Sequence, residues 1–234
     1  MRSDPNLGRI FGVHVRLHYT WFVAILLIAA AVVTQFSTAY PLWQRIMLGI
    51  AASLLLLMGI TIREFVLSFT ATHKGITVKR VTLFVFGGVS QIDKEATLPA
   101  LELLLAVVGM LSNLIIAGIF YVVYLVLAHT GNIVIDVLVQ WLAFIYFMLF
   151  LFHFVPAFPL DGGRILHALL WKATGDYERV TRIASWTGWG IGLLFTIGGI
   201  LVLINTQQWF VGILLTFPGL VLQNAATQSR RQAG

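Results

Sequence analysis

Residues 46–69 read IMLGIAASLLLLMGITIREFVLSF, an apolar run that carries Arg63 and Glu64 side by side near its end. Crossing about 30 Å of hydrocarbon takes about 20 apolar residues at 1.5 Å per residue, so the run reads as a transmembrane helix. Charges at such depth are costly and mark candidate functional positions. The pair therefore poses the central question of the chain.

The composition agrees with that reading. Of 234 residues, 59% are hydrophobic and 10% charged, with a mean hydropathy of +0.92. Soluble domains carry about 25% charged residues, so this is an integral membrane protein. The absence of cysteine removes disulfides, thiolate metal ligands and thiol nucleophiles, leaving His, Asp, Glu, Ser, Tyr and Lys for any chemistry. The net charge of +6 is scattered between apolar runs and forms no basic stripe, so the lipid bilayer is the expected partner and nucleic acid is not.

Six spans are expected, at 19–39, 46–69, 99–128, 133–156, 184–204 and 209–222, the last short and containing Pro218. With a cytoplasmic N-terminus, every Lys and Arg except Arg45 and Arg63 falls on the cytoplasmic side, which predicts that both termini lie there. The first apolar run shows no small-residue cleavage site and reads as a retained anchor. Residues 75–93, GITVKRVTLFVFGGVSQID, are rich in Val, Thr and Phe and too polar to span, so a small β element at the membrane surface is expected. Residues 1–234 are expected to form one membrane domain with no appended soluble domain.

The most specific segment is HFVPAFPLDGGRILHALLW, residues 153–171. Pro156 and Pro159 break a helix and free carbonyls, while Gly162 and Gly163 permit close backbone approach. Irregular backbone at membrane depth survives only against protein or a wet cavity, which places Asp161 at a packed or hydrated site. The competing reading is a solvated turn. Glu102 reads as a first-turn acid of its helix, and Ser112 and Asn113 as mid-span polar groups that hold helices together. His14, His18, His73, His129 and His167 show no mutual ligand spacing and receive no role.

Several segments resemble the site-2 protease family of intramembrane zinc metalloproteases, over nearly the whole chain. They are GRIFGVHVRLHYTW (8–21), KGITVKRVTLFVFGGVSQI (74–92), GMLSN (109–113, with Met110 in place of a family proline) and, most specifically, PAFPLDGGRIL (156–166). The family's His-Glu-x-x-His helix binds zinc through two histidines at i and i+4 and uses the glutamate as general base. Its Leu-Asp-Gly aspartate is the third ligand. Spacing back from Lys74-Gly75-Ile76 places the pentad on Arg63-Glu64-Phe65-Val66-Leu67. By this resemblance Glu64 keeps the base position and Asp161 a ligand position, both histidines are replaced, and His153 stands where the family has asparagine.

Arginine and leucine offer no lone pair to a metal, and without metal a water keeps a pKa near 15.7. The resemblance thus implies an all-α, six-helix membrane bundle with a β element between its second and third helices. It also implies a catalytically inactive pseudoprotease that binds transmembrane segments of client or partner proteins, or serves as a complex subunit, with no cofactor. Asn113 would lie along the groove that positions such a segment, and localisation would be a prokaryotic inner membrane. Arg63 is expected to replace the metal's charge by pairing with Asp161, Glu64 or both; the alternatives are that Arg63 snorkels to the interface and Glu64 is protonated. The competing function is an active intramembrane zinc metalloprotease with a rearranged site of Glu64, Asp161 and His153.

Overall fold

The computed structural model describes residues 6–10, 13–17, 20–35, 40–76, 78–84, 87–92, 98–127, 133–206 and 209–232. Arg2, His18, Lys94 and His129 lie outside them. The element order is β1 (Asn6–Ile10), β2 (Val13–Leu17), α1 (Thr20–Gln35), α2 (Leu42–His73), β3 (Val78–Phe84), β4 (Gly87–Ile92), α3 (Pro99–Leu127), α4 (Ile133–His153), α5 (Asp161–Thr174), α6 (Tyr177–Thr206) and α7 (Trp209–Gln232). Among the described residues, four helices are long and apolar enough to cross a membrane: α2, α3, α4 from Val134, and α6. The strands form one sheet in the order β1-β2-β3-β4, with β2 and β3 parallel and both outer pairs antiparallel.

The chain packs as two compact units, Met1–Glu95 with Leu111–Leu149, and Ala96–Met110 with Phe150–Gly234. The core of the first unit includes Val32, Leu48, Ala52, Leu56, Ile116, Ala117, Leu138, Leu142 and Tyr146. Tyr146 is fully buried, stacks on Phe120 and donates its hydroxyl hydrogen to Leu56 O. Gly59 makes room for it, because a Cβ there would overlap the phenol. Arg45 donates from Nε and Nη2 to Val33 O in the last turn of α1, where helix carbonyls have no intrahelical partner. That bond gives a local reason for the one basic residue expected away from the cytoplasmic side.

Helix ends depart from the expected spans for identifiable reasons. α2 begins at Leu42, just after Pro41, and ends where Gly75 takes a φ of +82° and Ile76 N–H reaches Ala71 O at 3.0 Å. That is a Schellman-type stop, which needs a residue tolerant of positive φ. α4 stops at His153 instead of 156, because Pro156 has no N–H to continue the ladder. α6 begins at Tyr177 instead of 184, capped by Asp176 Oδ1 accepting from Arg179 N–H at 2.9 Å.

In the second unit α6 and α7 form an antiparallel hairpin. A Cβ on Gly192, Gly199, Gly212 or Gly219 would press into the opposite helix, so these positions let the backbones approach closely. Between them Gln223 Nε2 donates to Thr196 Oγ1 at 2.9 Å, satisfying a polar group in the seam.

Candidate functional site

On α2, Glu64, Ser68 and Ala71 are buried and recur at helical spacing, so one stripe of this apolar helix faces protein along its polar segment. Arg63 Nη1 donates to Glu64 Oε1 at 2.7 Å, with the two side chains only 11% and 5% exposed. A charge-assisted bond of this length ties up one oxygen of the carboxylate. Asn113, on α3 in the same unit, is buried, and its Nδ2 has no hydrogen-bond partner among the described residues.

The second unit carries the broken stretch. After α4 the backbone turns through Ala157 N–H to Val155 O and Leu160 N–H to Ala157 O, both 2.7 Å, with a cis bond between Phe158 and Pro159. α5 then starts at Asp161. Gly162 and Gly163 sit against the backbone of residues 153–158, and Gly188 of α6 against Phe158 O, so the turn is clamped by glycine on two helices. This clamp leaves Asp161 3% exposed, with Oδ2 3.9 Å from His153 Nε2. Arg63–Glu64 thus lies within the first unit and His153–Asp161 within the second. No group of three or more His, Asp or Glu side chains placed to hold a metal ion occurs among the described residues.

The structure also joins residues to which the sequence assigns no shared role. His167 of α5 places Nδ1 2.8 Å from Glu102 Oε2 of α3, and Nε2 2.8 Å from Thr181 Oγ1 of α6. The single hydroxyl hydrogen of Thr181 goes to Tyr177 O at 2.8 Å, so Nε2–H donates to Thr181 and one further proton is shared by Nδ1 and Glu102. Rings of Phe158, Trp171 and Tyr177 surround the imidazole with centroids 5.2–6.1 Å away. The separation of 65 residues between Glu102 and His167 gives no periodic signal; the nearest hint is the Gly163, His167, Trp171 spacing on one face of α5.

The chain is an integral membrane protein with a clamped Pro-x-x-Pro-Leu-Asp-Gly-Gly turn, and the model of peptidase family M50 matches its residues 128–196, which include His153 and Asp161. The chain resembles the site-2 protease from Methanocaldococcus jannaschii with a TM-score of 0.68 and 26% identity, covering 98% of this chain and 96% of that one. It is 30% identical to a putative zinc metalloprotease of Synechocystis sp. over 98% of this chain and 61% of that protein. It is 31% identical to the putative zinc metalloprotease Rip3 of Mycobacterium tuberculosis over 90% of this chain and 57% of that protein. The chain thus spans little more than half the length of these curated relatives.

Proposed function

We propose that this chain is a site-2 protease homologue that binds transmembrane segments without cleaving them. The observation that carries the reading is the Arg63–Glu64 contact at 2.7 Å. If the zinc-binding pentad falls on residues 63–67, a guanidinium holds the carboxylate that would serve as general base, and positions 63 and 67 supply no lone pair. Catalytic zinc takes three protein ligands and an open position, and the donors that remain do not fit that requirement. Glu64 and Asp161 would then be relics of the base and a ligand, with Arg63 supplying positive charge toward both.

In the topology that goes with this reading, α1 and α7 also cross the membrane, making six spans with both termini cytoplasmic in an inner membrane. A client segment would lie along Asn113 and add as a strand to β1 or β4, each of which has one unpaired edge within the described sheet. Metal analysis of the purified chain tests the proposal. Far less than one zinc per chain is expected, while Arg63→His combined with Leu67→His should acquire about one zinc per chain by rebuilding the pentad. Stoichiometric zinc in the unaltered chain would overturn the reading. It would favour a rearranged protease site of Glu64, Asp161 and His153, a reading whose support is the 3.9 Å approach of His153 to Asp161.

A further inference from the structure

We propose that the surface where α6 begins and α7 ends binds the headgroup of an anionic phospholipid. Arg179, Arg182, Ile183 and Trp186 are all exposed and share one stripe of α6, since positions i, i+3, i+4 and i+7 fall on one helix face. The same stripe continues through the exposed Leu194, Ile197, Leu201 and Ile204. Basic groups, an indole and an apolar track therefore follow one another along a membrane helix, in the order in which a phospholipid presents phosphate, glycerol and acyl chain.

α7 completes the headgroup end. The Arg230 guanidinium lies 4.4 Å from the centroid of the Trp186 ring, a cation–π contact that brings it to the stripe of α6 on which Arg179 and Arg182 also lie. A guanidinium stacked in this way keeps its in-plane N–H donors available for phosphate oxygens. Among the described residues no carboxylate pairs with Arg179, Arg182, Arg230 or Arg231. Two acids lie nearby: Asp176 Oδ1 accepts from Arg179 N–H at 2.9 Å as the helix cap, and Glu178 stands four residues before Arg182, one turn away, without forming an ion pair with it among the described residues. An anionic lipid complements this charge, and a zwitterionic headgroup brings its own cation.

Native mass spectrometry of the purified full chain tests the assignment, in micelles doped with phosphatidylglycerol or with phosphatidylcholine of the same acyl chains. A retained phosphatidylglycerol adduct at least about tenfold stronger than the phosphatidylcholine adduct is expected, because several basic residues near one headgroup each favour a charged lipid. Replacing Arg179, Arg182 and Arg230 together by glutamine should reduce that preference to about unity, whereas replacing all three by lysine should keep most of it. Melting curves of both variants separate lost binding from lost folding. Quenching by bromine-labelled phosphatidylglycerol that Trp186→Phe diminishes would place the lipid directly. Equal adducts with both lipids, or an unchanged preference in the glutamine variant, would overturn the proposal. Displacement by millimolar inorganic phosphate would reassign the patch to a soluble anion, and displacement by an acidic peptide to a protein partner, and either result would overturn the lipid assignment.

Discussion

Replacing Glu102 by leucine removes one end of the buried chain that runs from α3 through His167 to Thr181. Glu102 and His167 are 6% and 1% exposed, so no water takes the place of the lost oxygen. Orphaning a buried polar group costs about 1–3 kcal/mol, and breaking a buried ion pair about 3–5, so the expected loss is about 3 kcal/mol. Glu102→Gln should behave differently. Nε2–H is already committed to Thr181, which leaves the Nδ1 lone pair of a neutral ring able to accept from the new amide, and the loss should stay within about 1.5 kcal/mol. Pairing Glu102→Leu with His167→Leu leaves Thr181 bonded to Tyr177 O and strands no carboxylate, so the double variant should be less destabilised than the sum of the singles. Reversible unfolding in mixed micelles, followed by tryptophan fluorescence, is the assay; Trp171 stands 6.1 Å from the His167 ring, and a chain without cysteine gives thiol dyes nothing to label. Equal losses for the leucine and glutamine variants, or strict additivity in the double, would refute the proton accounting.

Arg63→Ala should destabilise the protein by about 3–5 kcal/mol in the same assay, and adding Asp161→Asn should recover much of the loss if Arg63 compensates that carboxylate; no recovery would confine the role of Arg63 to Glu64. Gly59→Ala drives a methyl into the Tyr146 phenol and should cost about 1–3 kcal/mol by overpacking, with Tyr146→Phe relieving part of the added strain in a double-variant cycle. Asp176→Ala should remove about 1 kcal/mol as a lost helix cap and raise amide exchange in the first turn of α6 without changing α4. Arg45→Ala strands Val33 O at the end of α1 and should cost about 1–3 kcal/mol, with Arg45→Lys recovering part of it.

How much could be read from the chain alone follows from the range of each interaction. Apolar runs near 99–128 and 133–156 correspond closely to α3 and α4 because length and hydropathy are local properties, and the family likeness was legible in PAFPLDGGRIL because proline and glycine at fixed offsets dictate backbone. Helix ends were less legible. The stop at Gly75 and the start after Asp176 rest on caps of one or two residues, which a hydropathy window averages away. α5 has no counterpart among the expected spans, since its polar face and short length resemble a loop to a search for twenty apolar residues. The β1–β2 hairpin likewise has no short-range signal strong enough to separate it from the entry to α1. The contacts of His167 depend on three helices meeting and could not be inferred from spacing. At the candidate site, sequence supplies Arg63, Glu64, His153 and Asp161 as residues of interest, and the fold adds which of them touch: arginine with glutamate, histidine with aspartate.

The glycine clamp around residues 156–160 bears on how such a protein can change over time. In small metal-dependent domains the ion supplies the folding energy, so losing a ligand means losing the structure. Here the course of the backbone into Asp161 is set by Gly162, Gly163 and Gly188 lying against the main chain of the turn, a constraint that involves no ion. Exchanging the side chain of Asp161 or His153 therefore leaves this backbone constraint in place. A Cβ on any of the three would overlap main-chain atoms of residues 153–158, so exchanging one of these glycines must move the backbone that leads into Asp161.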